Sequence, residues 1–436
     1  MTKPCAQAPG VPEGQHHPEI FPEPRIIPRA EHPISRANID VEVLKVLYRL
    51  HHNGFRACLV GGSVRDLWLS KTPKDFDIAT DAQPQEIRRL FRNSRIIGRR
   101  FRLVQVFFKG GKVVEVSTFR SRSEFEEEGD VLAPNNTFGT PAEDAQRRDL
   151  TINGLFYDIA DFSLLDYVGG LEDLRQGIIR VIGPPEVRFR RDPVRMLRVL
   201  RHASRTGFRI DPEAWKAIGS NAQLIRVCNP SRLRDELLKD FKSGYCGPFL
   251  GLMLESGLLG ALFPQLEPVC RKGAGLEGVK NRLDEIFQVI DALTAAHLAL
   301  SETFFWTSFL IPFLEVSLEM GFQEIMPEAV GQFVHDSLGM LEFATGRREE
   351  VILLWLTAAQ LERLLAAGNR LPARLKRRSC FSEAWLLRHI LAGGPADLFD
   401  DIIRQASINP QVPEAPVPNK RRRSRSGRHR KKVFPV

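Results

Sequence analysis

The fold of this chain is decided by two short stretches, LVGGSVRD at residues 59–66 and KDFDIAT at residues 74–80. The apolar run at 57–60 predicts a strand that ends at Gly61-Gly62, and a short helix is expected over 64–70. Glycine lets backbone approach a ligand closely, and a helix N-terminus favours anions. This strand–turn–helix therefore suits phosphate, although a Gly-Gly pair alone is a weak signal.

The second stretch carries two carboxylates, Asp75 and Asp77. On a strand, this spacing puts both side chains on the same side. Adjacent carboxylates repel each other unless a cation lies between them, and hard divalent ions such as Mg²⁺ prefer such oxygens. Two such ions can activate an attacking hydroxyl and stabilise a leaving phosphate. An isolated Asp-x-Asp is more often a solvated turn, so the signal becomes specific only when the two stretches occur together.

The flanking sequence places both stretches in a small mixed α/β unit. Apolar residues at helical spacing predict a helix over 39–50, another begins at Pro84, and strands follow over 103–108 and 112–119. Further along, helices are expected over 193–205, 212–224, 231–243, 247–259, 279–300, much of 313–366, and 381–403. We therefore expect an α+β protein in which a small mixed-sheet head is followed by an all-helical neck, body and tail.

Composition excludes several classes of protein. The 436 residues include 62 Lys and Arg and 53 Asp and Glu, for a net charge of +9. Residues 420–432 hold nine of the basic residues and no acid, so the rest of the chain is balanced and a uniformly cationic protein is excluded. The sequence shows neither an apolar run of membrane length nor a signal-peptide core, which predicts a cytoplasmic protein without a membrane partner. The six cysteines form no CxxC pair and are expected to be reduced thiols.

Two further motifs follow. Residues 143–153 read EDAQRRDLTIN, which taken alone is a helix N-terminal segment with paired charges. Residues 191–198 read RDPVRMLR, and Pro193 suits the first turn of a helix. Between residues 188 and 209 there are eight arginines and one acid, a one-sided charge that is self-repelling unless a polyanion binds. The arginines expected to share one face of this helix are Arg191, Arg195, Arg198 and Arg205.

With these motifs in this order, the chain resembles the class II nucleotidyltransferases of the polymerase-β superfamily. That family includes the bacterial poly(A) polymerases and the tRNA nucleotidyltransferases that build or repair the CCA end. The resemblance runs from residue 39 to residue 264. It implies a nucleotidyltransferase head with a five-stranded sheet, ATP as substrate, and two Mg²⁺ ions with Mn²⁺ as an alternative. An RNA 3′-hydroxyl would attack the α-phosphate of ATP and release pyrophosphate without a covalent intermediate.

The resemblance also implies roles for individual residues. Asp75 and Asp77 would bind the metal ions, and Asp149 would be a supporting active-site acid. Glu115 is the candidate third metal ligand, because it alternates with Val114 and Val116 and is expected on the opposite strand face; an ordinary solvent-facing residue is the alternative. The residues that would contact the nucleotide are Gly61, Gly62, Arg65, Arg148, Asn153, Asp192, Arg195 and Arg198.

Asp192 and Arg195 would select the base, on the same helical face. Adenine and cytosine both present an exocyclic amino donor beside a ring-nitrogen acceptor, which an Asp acceptor and an Arg donor match. Guanine and uracil present the opposite order and would leave buried groups unpaired, at a cost of about 1–3 kcal/mol each. The family has Glu where this chain has Arg191, so the orientation of the pair and the choice of nucleotide stay open.

Three features favour the poly(A) polymerase branch: GRRFRL at 98–103, DPVRMLR at 192–198, and a proline-rich linker with a basic tail. RNA 3′ ends are the implied partner, with RNA-decay or RNA-chaperone proteins as further candidates. The alternatives are a tRNA nucleotidyltransferase (CCA-, CC- or A-adding) and a non-catalytic RNA-binding adaptor. The tail residues expected to add salt-sensitive RNA affinity are Arg421, Arg422, Arg423, Arg425, Arg428, Arg430, Lys431 and Lys432.

The expected organisation has five segments. These are a disordered extension over 1–36, the nucleotidyltransferase head over 37–160, a helical neck over 161–275, a helical RNA-binding body over 276–408, and a proline-rich linker with a basic disordered tail over 409–436. Residues 165–174 are expected to form a turn that carries the chain into the neck.

Overall fold

The structure, a computed structural model, describes residues 23–98, 102–121, 138–270, 273–393 and 399. The chain divides into two compact units, Met1–Asn221 and Ala222–Val436. The first unit contains a mixed sheet with helices and the second is helical, so the predicted α+β class is confirmed. The predicted boundaries at residues 160 and 275 lie away from this division and stay predictions.

The first unit is built on one large sheet. Its strands are β1 Arg25–Ile27, β2 Ala57–Val60, β3 Asp77–Thr80, β4 Ser94–Ile97, β5 Leu103–Phe107, β6 Val113–Thr118, β7 Leu155–Asp158 and β8 Leu164–Asp166. They are ordered β1-β8-β7-β2-β3-β6-β5-β4, with β3 and β6 parallel and the other neighbours antiparallel. The sheet therefore has eight strands rather than the five expected. A separate parallel pair joins β9 Ile178–Ile179 and β10 Arg209–Ile210.

The strand sequences explain which sides are buried. All four residues of β2 are buried, as expected for a central strand covered on both faces. In β6, Val114 and Val116 are buried while Glu115 is half-buried on the other face. The predicted side of Glu115 is therefore confirmed.

Eight α-helices belong to the described part of the first unit. They are α1 Val41–His52, α2 Gly62–Trp68, α3 Pro84–Leu90, α4 Pro141–Gln146, α5 Gly170–Gln176, α6 Pro185–Arg191, α7 Val194–Thr206 and α8 Pro212–Asn221. The Asp40 side chain begins α1 by accepting the backbone N–H of Glu42 at 2.9 Å. The apolar stripe that predicted this helix is the face it buries.

Two predictions about the connections are wrong. Residues 23–36 are not disordered, because β1 pairs with β8 at the sheet edge and buries Ile27. Residues 165–174 are not a simple turn: β8 ends at Asp166, whose carboxylate accepts the backbone N–H groups of Gly170 at 3.0 Å and Leu171 at 2.9 Å. Asp166 thus closes a strand and begins α5, a double use that a single sequence does not reveal.

The second unit is helical over its described residues. Its helices are α9 Pro230–Phe241, α10 Cys246–Glu255, α11 Leu258–Leu262, α12 Glu267–Cys270, α13 Ala274–Ala295, α14 Glu302–Leu318, α15 Pro327–Gly339, α16 Thr345–Ala366, α17 Ala373–Lys376 and α18 Phe381–Leu391. The helix predicted over 247–259 is broken, because Gly257 has a φ of 74° and ends the run. The helix predicted over 381–403 is described only in part.

Aromatic side chains form the core of the second unit. Trp306 and Trp355 are fully buried, and the ring of Trp306 lies 4.7 Å from that of Phe241. None of the helices in the described ranges is long and apolar enough to cross a membrane. The five described cysteines take no part in disulfide bonds, in agreement with the prediction.

Candidate active site

Four carboxylates, including that of Asp40, line a cleft on the first unit, which we call the acidic cleft. It has a volume of ≈1010 Å³, and Asp75, Asp77 and Glu115 are among the residues that line it. Asp77 is the first residue of β3 and lies in register with Glu115 on β6. Asp75 precedes the strand, so the prediction that both aspartates lie on a strand is wrong for Asp75. They still meet at one site because Asp75 ends the loop that leads into β3.

The surroundings of Asp77 in the acidic cleft disfavour its ionisation. The pKa of Asp77 is raised by partial removal from water, then by the charges of Glu115 and Asp75, and Arg148 opposes this shift. Glu115 accepts a hydrogen bond from Gln105 Nε2 at 3.0 Å. Repelling carboxylates on the wall of a cleft are the oxygen donors that a hard divalent cation prefers, so these residues fit such an ion.

The carboxylates do not form a closed metal site. Within the described ranges, no three His, Cys, Asp or Glu side chains are grouped closely enough to hold a metal ion. Asp75 and Asp77 as metal ligands, and Glu115 as the third ligand, therefore stay predictions.

The Gly-Gly turn brings backbone to the acidic cleft. Gly61 has a φ of 73°, which a residue with a side chain rarely adopts. A Cβ added at Gly61 would lie 3.5 Å from Arg148 Nη1 and 3.7 Å from Asp77 Oδ2. Three predicted site residues therefore lie close together here: Gly61, Asp77 and Arg148.

Arg148 is held beside the acidic cleft by a buried carboxylate. Its Nη2 donates to Asp144 Oδ2 at 2.8 Å, and its guanidinium lies over the ring of Phe156 at 5.1 Å. Asp144 also accepts from Arg147 Nε at 3.0 Å, and the two arginines hold the pKa of Asp144 below its usual value despite burial. Arg148 Nε is buried and has no hydrogen-bond partner among the described residues, so it is available to an acceptor on a ligand.

Arg65 lies inside the protein rather than at the surface of the cleft. It is 8% exposed, and its Nη1 donates to Asn153 Oδ1 at 2.8 Å. Its Nη2 donates to Asp66 Oδ1 at 2.7 Å, and its Nη1 also lies 3.1 Å from His202 Nδ1. Arg65 therefore links α2 to the Asn153 turn and to α7. The predicted contacts of Arg65, Asn153 and the adjacent Gly62 with the nucleotide stay predictions.

Asp149 holds the arginine helix α7. Its Oδ2 accepts from Arg198 Nη1 at 2.8 Å. Although burial acts to raise it, Arg198 lowers the pKa of Asp149 to about 2, with smaller contributions from Arg195 and His202. The catalytic role of Asp149 and the nucleotide contact of Arg198 stay predictions.

Asp192 and Arg195 meet, but not as predicted. Asp192 follows the last residue of α6, and α7 begins at Val194, so the two residues do not share one helix and Arg191 lies on a different helix from Arg195. The cause is Pro193, which cannot continue the hydrogen bonding of α6. Arg195 Nε nevertheless lies 3.8 Å from Asp192 Oδ2. Arg195 Nη1 is buried without a hydrogen-bond partner in the described part of the chain.

Sequence reasoning missed two residues of this site. Asp144 precedes Arg148 by four positions, a spacing that could have identified the ion pair. His202 gave no comparable signal, because a single histidine in an arginine-rich helix is compatible with many structural roles. Burial, followed by the charge of Arg65, lowers its pKa to about 3, so it is neutral at pH 7. The segment 99–101 and the tail 420–432 lie outside the described residues.

Comparison with known proteins gives two family matches and several relatives. Residues 57–180 match the Poly A polymerase head domain, and residues 207–270 match the probable RNA and SrmB-binding site of polymerase A. The chain is 41% identical to poly(A) polymerase I of Escherichia coli O6:H1 over 73% of this chain and 69% of that protein. It is 36% identical to the CCA-adding enzyme of Bacillus licheniformis over 56% of this chain and 58% of that protein. Its fold is similar to that of the Bacillus stearothermophilus CCA-adding enzyme in complex with CTP (TM-score 0.58, 25% identity, 84% of this chain and 81% of that one).

Proposed function

The chain belongs to the bacterial poly(A) polymerase I family, and we propose that it adds AMP from ATP to RNA 3′ ends without a template. The observation that carries this proposal is the likeness to poly(A) polymerase I, which extends over 73% of the chain at 41% identity. The likeness to a CCA-adding enzyme is weaker in identity and spans 56% of the chain. A tRNA nucleotidyltransferase that adds CCA, CC or A is therefore the second candidate.

The acidic cleft supports the transfer chemistry. Asp75 and Asp77 would hold divalent cations, with Glu115 as the third candidate ligand. Bound there, such cations supply the positive charge that favours an ionised hydroxyl and stabilises a leaving phosphate. Arg148, fixed by Asp144, lies beside this cleft with an unused donor, which suits a phosphate or ribose oxygen of the nucleotide.

The pair Asp192 and Arg195 supports selection of the base. An Asp acceptor 3.8 Å from an Arg donor matches the amino group and ring nitrogen of adenine. Cytosine presents the same pattern. The pair would therefore exclude guanine and uracil, and other residues would have to discriminate ATP from CTP. Asp149 positions α7 through Arg198, next to the base-selecting side chains.

The proposed function predicts a pattern of products. The purified full chain is incubated with each NTP separately, on a generic RNA and on tRNAs that end before C, before CC and before A. We expect long tracts from ATP on the generic RNA. Addition that stops after one to three nucleotides, on tRNA alone, would assign the chain to the second candidate.

A variant pair separates enzyme from adaptor. Asp75→Asn with Asp77→Asn should abolish AMP incorporation, while Asp235→Asn, an exposed acid of the second unit, should leave it unchanged. A wild-type chain that binds RNA but incorporates no AMP would instead be a non-catalytic RNA-binding adaptor.

The basic tail is proposed to adjust RNA affinity. Deletion of residues 420–436 removes nine basic side chains, so RNA binding should weaken and become less dependent on salt. Nucleotide choice should be unchanged, because the base-selecting pair lies in the first unit. A changed NTP preference in the deleted protein would contradict this separation of roles.

A further inference from the structure

A second groove lies on the first unit, beside the acidic cleft. It has a volume of ≈940 Å³ and runs between α1, the turn that follows α3, and the end of β5. We call it the α1 groove. Its basic residues are Lys45, Arg49, His52 and Arg92, and no carboxylate is among its described lining residues.

The acids at the start of α1 offset only part of this charge. Asp40 is ion-paired with Lys112, which lies outside the groove, and Glu42 lies 3.8 Å from the same lysine. Glu42 also lies 3.8 Å from Lys45, whose side chain is 63% exposed and remains open to a ligand. The α1 groove therefore carries a net positive charge and complements an anionic ligand.

Aromatic rings alternate with these cations. The rings of Tyr48 and His52 are stacked, with centroids 6.0 Å apart, and the guanidinium of Arg49 lies over Phe91 at 5.3 Å. Phe107 and Phe108 line the opposite wall and are only half-buried. A basic groove with aromatic faces is the arrangement that holds single-stranded nucleic acid, since phosphates pair with the cations and bases stack on the rings.

The α1 groove adjoins the acidic cleft. Val41, which is 61% exposed, lines both cavities. Phe107 of the groove pairs in register with Val113, which lines the cleft. A strand whose 3′ end lies at Asp77 can therefore follow this surface into the groove.

We propose that the α1 groove binds single-stranded RNA upstream of the 3′ end that lies in the acidic cleft. The inference rests on the proposed function for the placement of the 3′ end. The observed charge and aromatic lining identify the ligand class independently of catalysis. The groove contacts phosphates and ring faces, so it tolerates any sequence, as an enzyme acting on many 3′ ends requires.

The test compares RNA lengths in charge-reversed protein. The full chain carrying Arg49→Glu and Arg92→Glu is titrated with fluorescein-labelled oligo(A) of 20 and of 4 nucleotides. Affinity for the 20-mer should fall about tenfold or more, and the slope of log K against log salt should shrink by about 1.4, for two lost phosphate contacts. Affinity for the 4-mer, which does not reach the groove, should change little, and KM for ATP should be unchanged.

Two further variants test whether the loss of binding is specific to the groove. Phe108→Ala, which keeps the charge, should also weaken 20-mer binding, by about tenfold. Lys216→Glu with Arg370→Glu makes the same charge change on exposed side chains outside the groove and should have a smaller effect. Equal losses in this control, or unchanged 20-mer binding in the groove variants, would overturn the proposal. Weakened binding of polyglutamate without weakened binding of oligo(A) would assign the groove to an acidic protein and also overturn it.

The binding assay needs no catalysis, so the two proposals fail separately. Groove-dependent RNA binding without AMP incorporation would refute the proposed function and keep the site. AMP incorporation with normal 20-mer binding in the groove variants would refute the site alone.

Discussion

Replacing Asp149 by Asn tests whether this acid stabilises the first unit through the arginine helix. The change keeps the size of the side chain and removes its charge, so Arg198 loses an ionic partner at 2.8 Å. Asp149 is 28% exposed, and Arg198 holds its pKa at about 2 instead of the ordinary 3.8. At 1.36 kcal/mol per pH unit, this lowered pKa corresponds to about 2 kcal/mol of unfolding free energy at neutral pH, with Arg198 as the main contributor.

The pH dependence gives the second part of this prediction. Because folding lowers the pKa of Asp149, its contribution is present in full above about pH 4 and is lost as the pH falls towards 2. The difference in unfolding free energy between wild type and Asp149→Asn should therefore be constant from pH 7 to pH 5. It should shrink below pH 4, where Asp149 of the unfolded chain begins to bind a proton while the folded carboxylate is still ionised.

Urea unfolding followed by circular dichroism measures both quantities. The chain has two units, so the effect should appear in the transition that belongs to the first unit. Asp235→Asn, an exposed acid of the second unit, is the control and should change stability by less than about 0.5 kcal/mol. A double-mutant cycle with Arg198→Met isolates the pair. A loss below about 0.5 kcal/mol in Asp149→Asn, or one that does not vary with pH, would refute the reasoning.

Three other changes have expected outcomes. Asp77→Asn should reduce AMP incorporation by about a thousandfold, which corresponds to the loss of several kcal/mol of charge stabilisation, and should leave the urea unfolding curve unchanged. Incorporation near the wild-type rate would show that Asp77 is not a metal ligand. Gly61→Ala should cost about 1–3 kcal/mol in unfolding free energy, because Ala strains a φ of 73°; an unchanged urea unfolding curve would contradict this strain. Gly170→Ala should destabilise the first unit by more than about 3 kcal/mol, since its Cβ would overlap the carbonyl oxygen of Thr151, and normal urea unfolding would show that the turn relaxes.

The sequence predicted elements whose cause is local. The helix at 39–50 and the strand at 112–119 follow from apolar periodicity, and the structure has them as α1 and β6. The side of Glu115 followed from simple alternation. These predictions succeeded because the periodicity of each segment agrees with the face that it buries.

The parts that failed depend on pairing between distant segments. Residues 25–27 form a strand only because they pair with β8, which lies far away in the sequence. Their own sequence resembles that of a linker and does not identify this partner. Asp192 seemed to share a helix with Arg195, because a helical repeat does not show that Pro193 divides the segment. His202 became visible only when α7 brought it to Arg65 and Asn153.

The motif arginines fall into two groups that the sequence does not distinguish: those whose donors are paired within the protein, and those that keep a buried donor unpaired within the described ranges. Arg65 donates to Asp66 and Asn153, so its donors serve the protein itself. Arg148 and Arg195 each keep a buried donor without a partner among the described residues, and such a donor is costly to leave unpaired. Because a bound ligand would remove this cost, we expect these two arginines to be the ones that contact the nucleotide. Arg65 links α2, the Asn153 turn and α7, and we expect it to act indirectly, by holding the segments from which Arg148 and Arg195 would reach a ligand.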